Sequence, residues 1–288
     1  LICAAARDVG IKVLLSGIGA DEIFFGYRRQ KATMLAAHYR RLPEWMRRLV
    51  QSSLERLPVR IAGRGLRTVR WARRFVGFAS LPIDEAYRAS YSYYDGAELA
   101  ALFPGHDEAV AQIADDHRRV FEAEFGGDPV NQMCNTDIHM FMEGLNLTYT
   151  DRASMAASTE VRVPFIDRAV VELAMAMPGQ MKYRNGRSKH VLKCMARRYL
   201  PDEIVDRPKA SFGAPIRSWI SGALAPMVDD LLSRTSIVRR GLLDPDIVAS
   251  IIAADRHGRT DNAYRIYQLM TLELWFRQYI DPAPLASC

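Results

Sequence analysis

The sequence has no apolar run near the roughly 20 residues that a bilayer-spanning helix requires. Its longest such stretches, residues 1–6 and residues 169–177 with Glu172 inside, are far shorter. No transmembrane segment is expected. The opening Leu1-Ile2-Cys3-Ala4-Ala5-Ala6-Arg7-Asp8 lacks an initiator Met, a basic leader and a cleavage site, so it reads as a truncated N-terminus without a secretory signal. Cysteine is scarce. Cys3, Cys134, Cys194 and Cys288 stand singly, which excludes the close pairs of a zinc site and the dense spacing of a disulfide framework. Free thiols in a reducing cytoplasm fit this usage, with packing roles rather than reactive ones. Internal repeats and low-complexity tracts are also missing.

What is present is the balance of a folded globular protein, with 49% hydrophobic and 25% charged residues. A length of 288 residues allows one large domain or two small ones. The net charge is +6, and much of the excess lies between Arg40 and Arg74, where eleven arginines occur. They alternate with Leu42, Trp45, Met46, Leu49, Val50, Leu54 and Leu57 at roughly helical spacing, which reads as the solvated face of amphipathic helices. The alternative is a surface for an acidic or phosphate-rich partner. Trp45 and Trp71 are the only aromatics in that stretch, too sparse for a base-stacking platform, so nucleic acid is not an expected partner.

The patterns predict a helix ending near residue 9, with Gly10 as its left-handed cap. Residues 11–15 form a nearly continuous apolar run, which predicts a parallel strand covered on both faces. Beyond Tyr27 the spacing is mainly helical, punctuated by Pro43, Pro58, Pro82, Pro104, Pro129, Pro164, Pro178, Pro201 and Pro215. Gly126-Gly127-Asp128-Pro129 is the clearest internal loop. The expected class is α/β and helix-rich, with an α/β core end in 1–30, a helical insertion in 31–130 and a helical remainder in 131–288.

The strongest chemical signal is Ser16-Gly17-Ile18-Gly19-Ala20-Asp21-Glu22, directly after the predicted strand. In open α/β sheets ligands gather at the carboxyl ends of strands, where glycines let backbone amides approach a nucleotide. Asp21 is a hard oxygen ligand suited to Mg²⁺, which is commonly held by one or two carboxylates plus phosphate oxygens. A plain tight turn, with Asp21 and Glu22 serving only the helix dipole, fits the same residues.

The segment Ser16–Tyr27 resembles the second nucleotide-site motif of the asparagine synthetase family. The run from Asp151-Arg152-Ala153-Ser154-Met155 through Glu160-Val161-Arg162-Val163-Pro164-Phe165-Ile166-Asp167 resembles that family's longest signature. Gly186-Arg187-Ser188-Lys189-His190-Val191-Leu192-Lys193, with Leu200-Pro201 and Arg207-Pro208-Lys209-Ala210-Ser211-Phe212-Gly213-Ala214-Pro215 after it, resembles the closing one. The three stand in the family's order over about 200 residues. The resemblance implies the C-terminal part of an ATP-pyrophosphatase domain with a truncated parallel sheet. It also implies ATP-dependent amide formation, in which a carboxylate attacks the α-phosphorus, pyrophosphate leaves and an amine attacks the acyl-adenylate. Lys189 matches the family's catalytic lysine. Asp151 and Arg152 are further catalytic candidates, Ser16, Gly17, Ile18, Gly19, Asp21 and Glu22 are the nucleotide-binding set, and Asp21 is the magnesium ligand. The expected partners are ATP with Mg²⁺, a carboxylate acceptor, and glutamine or ammonia; a homodimer is compatible.

A second reading of Asp151, Arg152, Glu160, Arg162 and Asp167 is a structural ion-pair network that shapes the pocket without touching substrate. The family's Ser-Gly-Gly-x-Asp-Ser pyrophosphate loop, its second magnesium ligand and its glutaminase domain are absent from these residues, so the chain alone is expected to be inactive. Ile18 also departs from the pattern, standing where asparagine-forming members carry a carboxylate. The acceptor it implies is other than free aspartate, such as a sugar acid or peptide carboxylate. A reading of another class is an inert basic interaction module built on the arginine segment.

Overall fold

The computed structural model describes residues 1–57, 60–61, 64–65, 67–123, 125–207 and 214–281. Residues 208–213 of the closing motif, Pro58 and Cys288 lie outside them. The chain divides into two compact units, one of residues 1–43, 78–90 and 115–209, the other of residues 44–77, 91–114 and 210–288. No helix among the described residues is long and apolar enough to cross a membrane.

The first unit opens as its sequence predicts. The helix Ile2–Asp8 stops at Gly10, whose φ of 83° lets its N–H reach the Arg7 carbonyl at 2.8 Å. The strand Val13–Leu15 follows and pairs in parallel with Glu160–Arg162, Leu14 standing opposite Val161. The expectation of cover on both faces fails. Val13 and Leu15, which share one face because side chains alternate in a strand, are 40% and 76% exposed, while Leu14 between them is half-buried.

Hydrophobic burial begins just beyond the strand. Ile23 and Phe24 pack with Ala174, Phe165, Val170, Val171, Val191 and Leu192, and the Phe24 and Phe165 rings meet edge to face at 6.4 Å. Residues 129–155 are helical throughout, from Pro129–Asp137 through a wide-turned π-helix, Ile138–Leu147, into Thr148–Met155. Asp128 starts this run by accepting from the Val130 and Asn131 amides, and it also accepts from Gly179 N at 2.6 Å. The Gly126–Pro129 loop is therefore a joint as well as a turn. Prolines predicted as punctuation sit at helix starts at Pro129, Pro164, Pro178, Pro201 and Pro215.

A buried polar cluster ties this unit together. Asp137 is fully buried and accepts from Arg29 at 2.7 Å, Gln30 at 2.8 Å and Tyr87 at 2.5 Å. Burial pushes its carboxyl up to about 6, against the pull of Arg29.

The second unit is helical, with a core of Ile220, Val228, Leu231, Ile237, Ile266 and Leu269 among others. Its spine is the helix Ala263–Trp275. Here the arginine stretch finds internal work. The Arg73 guanidinium donates to the carbonyls of Leu54, Glu55 and Leu57, at and just past the end of the helix Glu44–Arg56, where carbonyls lack helical partners. Arg70 lies 3.4 Å from Asp261, and Arg74 lies over the Tyr93 ring at 5.1 Å. Arg48 pairs with Glu44 on the outer face, as a solvated helical face would have it.

Truncating Asp137 leaves Arg29 as an uncompensated, largely buried charge, so Asp137→Ala is expected to cost about 3–5 kcal/mol in denaturant unfolding. A loss under about 1 kcal/mol would show that the cluster is not a structural joint. The intact carboxyl binds its proton more tightly folded than unfolded. Its own contribution is therefore full below its ordinary pKa of 3.8 and is lost as pH rises through about 6. Stability measured from pH 5 to 7 is expected to fall by less in Asp137→Asn than in the parent.

Candidate functional site

The site is built at the carboxyl end of the first strand. Ser16 closes the ladder by donating its N–H to Arg162 O at 2.8 Å, and Ile18 N–H turns back to the Ser16 hydroxyl at 3.3 Å. Gly19 has a φ of 96°, and a Cβ there would stand 2.6 Å from Ile166 Cγ2. The first and second sequence motifs thus meet at a point where only glycine fits. The short helix Ala20–Ile23 begins there.

From this helix Asp21 reaches Lys189, with Oδ1 and Nζ 2.9 Å apart and each side chain about a quarter exposed. The first and third motifs, far apart in sequence, meet at this ion pair. Lys189 has a left-handed backbone, φ 54° and ψ 36°, immediately before the helix His190–Ala196. That conformation costs an L-residue on the order of 1 kcal/mol. It is held by the bond from Lys189 N–H to Phe24 O at 3.1 Å and by the ion pair itself. Gly26 packs directly beneath: a Cβ on it would overlap both the Asp21 carboxylate and Lys189 Cε.

Glu22, next to Asp21, turns the other way. It is 2% exposed and accepts from the Tyr27 hydroxyl at 2.5 Å and from Asn146 Nδ2 at 2.6 Å. Burial, then the Glu22 carboxylate, pushes the Tyr27 hydroxyl well above its usual range, so it remains a donor. Arg29 lies between the Tyr27 and Phe141 rings, 4.0 and 4.1 Å from their centroids, and so joins the loop to buried Asp137.

Asp151 and Arg152 lie elsewhere, exposed on the helix Thr148–Met155. The ion-pair network read from the second motif does not form. Glu160 and Arg162 pair only with each other at 2.7 Å on the surface, and Asp167 caps the helix Arg168–Ala176 through Ala169 N. Charges this exposed are solvated by water and need no shared partner. Sequence reasoning missed Gly26, Arg29, Asp137 and Asn146. Gly26 was within the first motif and could have been suspected from its place beside Phe25 and Tyr27. Asn146 carries no local signal.

Asp21 fits as one ligand of a magnesium ion that takes its remaining ligands from phosphate oxygens and water. Among the described residues no group of three or more His, Cys, Asp or Glu side chains offers a full protein cage. By class this is a helix-rich α/β protein with a small parallel sheet, and the glycine-bearing loop and the acid–lysine pair stand at the end of its first strand. A family model for asparagine synthase matches residues 1–277, and the chain belongs to that family.

It is 24% identical over 265 residues to asparagine synthetase [glutamine-hydrolyzing] 1 of Bacillus subtilis, covering 92% of this chain and 40% of that protein. A putative asparagine synthetase [glutamine-hydrolyzing] of Mycobacterium bovis is 27% identical over 278 residues, covering 94% of this chain and 40% of its own. The protein named amidase chry2 of Gibberella zeae is 22% identical over 262 residues, covering 84% and 38%. The chain therefore spans about 40% of the length of its first relatives. No solved structure matches it significantly.

Gly26→Ala is expected to separate Asp21 from Lys189 and to lower stability by about 1–3 kcal/mol in denaturant unfolding. A crystal structure of the variant with the 2.9 Å pair intact would show that the packing beneath it has slack.

Proposed function

We propose that this chain is the ATP-using part of an amide-forming enzyme that activates a carboxylate as its acyl-adenylate, releases pyrophosphate and passes the acyl group to an amine, with AMP as the leaving group. The observation that carries this reading is the Asp21–Lys189 pair at 2.9 Å beside the Ser16–Gly19 loop. The two groups have complementary tasks. The Ser16, Gly17, Ile18 and Gly19 backbone lines the strand end where a nucleotide would approach. In this reading Lys189 meets the negative charge that develops as pyrophosphate leaves, and then the oxyanion formed when nitrogen attacks. Magnesium bound at Asp21 would neutralise phosphate charge. Glu22 has a positioning role, since its carboxylate is committed to Tyr27 and Asn146. Asp151 and Arg152, exposed on their helix, remain available to substrate. Relatives named as glutamine-hydrolysing support glutamine, or ammonia from it, as the nitrogen source.

In the full-length protein Asp21→Asn is expected to abolish ATP–pyrophosphate exchange while glutamine hydrolysis continues. Equal loss of both would point to misfolding instead. Lys189→Ala is expected to lower the exchange rate by on the order of 100-fold or more, as removal of a transition-state electrostatic group does. A rate near that of the parent would place Lys189 outside the chemistry.

The acceptor in this reading is a carboxylate other than free aspartate. Ile18, half-buried in the loop, offers no bond to an amino acid's ammonium, and an unpaired polar group against an apolar wall costs a few kcal/mol. That relatives carry names as different as asparagine synthetase and amidase supports varied acceptors on one scaffold. Exchange assayed separately with aspartate, uronic acids and peptide carboxylates is expected to favour an acid other than aspartate; strong exchange with aspartate alone would reverse this.

A further inference from the structure

The helix His190–Ala196 has two faces. Leu192, Lys193 and Ala196 line the cavity beside the Asp21–Lys189 pair, whereas His190, Val191 and Cys194 line a second cavity of about 670 Å³ within the first unit. That volume lies in the range of small-molecule sites, roughly 300–1,000 Å³. Its other walls include Gln180, Met181, Arg184 and Asn185. The rim is fixed by backbone. Asn185 and Gly186, with φ of 49° and 75°, make a tight turn across which Arg184 and Arg187 exchange N–H to carbonyl bonds of 3.1 and 2.9 Å.

Cys194 stands in this cavity beside a base. Its Sγ lies 3.9 Å from His190 Nε2, one helical turn away on the same face, and the residue is exposed. Cys134 is the opposite case: it is buried, and burial pushes its thiol up to about 12. A thiol of that kind is inert, whereas an exposed thiol that can pass its proton to an imidazole supplies the thiolate that attacks sulfur. Among the described residues lining the cavity none is acidic, and Arg184 carries a full positive charge. The molecule that matches it therefore carries carboxylates, and the amides of Gln180 and Asn185 offer hydrogen bonds to a peptide-like body.

We propose that Cys194 is a site of thiol–disulfide exchange, and that its cavity takes a low-molecular-weight disulfide bearing carboxylates, the disulfide of a small acidic peptide thiol. In the exchange the Cys194 thiol passes its proton to His190, and its sulfur attacks one sulfur of the incoming disulfide. The old S–S bond breaks as the new one forms. Cys194 is oxidised, and the departing half leaves as a reduced thiolate that takes the proton from His190. The incoming disulfide is the oxidant, and none other is needed. The site rests on the cavity and on the Cys194–His190 contact, not on the adenylation chemistry proposed above.

The test follows adduct formation at each cysteine by peptide mass spectrometry, with the full-length protein mixed with oxidised glutathione, which is anionic, or with cystamine, which is cationic. Each rate is divided by that of the same cysteine in urea-unfolded protein, which removes the intrinsic reactivity of the two reagents. With oxidised glutathione, Cys194 is expected to react about 10-fold faster folded than unfolded, while Cys134 is protected by folding. The folded-state gain at Cys194 is expected to be larger with oxidised glutathione than with cystamine. His190→Gln is expected to remove most of that gain, and Arg184→Gln to erase the preference for the anionic disulfide. Thermal unfolding checks that each variant is folded. Cys194 reacting no faster folded than unfolded, a gain unchanged in folded His190→Gln, or a larger gain with cystamine overturns the proposal. Should His190→Gln not fold, the gain in the parent and the exposed-site variant Arg184→Gln decide it. None of these rates depends on ATP–pyrophosphate exchange, so failure here leaves the adenylation reading standing.

Discussion

The structure of the site depends on one ion pair, Asp21 to Lys189, closed over a glycine. In energy the contact is modest, since a partly exposed pair contributes about 0–1 kcal/mol. Its geometric demands are much larger. It requires a left-handed lysine backbone, a residue without a side chain at Gly26, and a strand end that aims Asp21 at the cavity. Those demands are met by packing: Ile23, Phe24 and Phe25 are buried, and Phe24 supplies the carbonyl that fixes the Lys189 amide. Because the pair itself is weak, exchanging either partner for another ion would cost little.

Behind that exchangeable pair stands a polar network that is not exchangeable. Glu22, Tyr27, Asn146, Arg29, Tyr87 and Asp137 run from the loop into the core, joined by short hydrogen bonds and aromatic contacts. Buried charges survive only with partners, and each member here has one. The adjacent carboxylates Asp21 and Glu22 thus take opposite duties, one facing the cavity and one facing inward, because successive residues on a helix point about 100° apart.

The arginine-rich stretch loses much of its claim as a binding surface once its contacts are known. Arg73 closes the end of a helix, while Arg70 and Arg74 are spent on Asp261 and the Tyr93 ring.

The sequence by itself determined much of the local structure. The first helix and its Gly10 cap, a strand within residues 11–15, the proline-marked helix starts and the loop Ser16–Gly19 are all consequences of backbone preference and hydrophobic period, which act over a few residues. It also named both members of the ion pair, because each sits in a recognisable motif. Only the tertiary structure decided that the two meet, that Gly26 must be bare beneath them, and that Glu22 serves Tyr27 and Asn146. It decided as well that Asp151 and Arg152 stand in solvent instead of in a network, and that Val13 and Leu15 are exposed where an apolar run had implied full burial. The reason is the same throughout: burial and charge pairing depend on which residues approach through space, and no short-range pattern records the identity of a neighbour more than a hundred residues away.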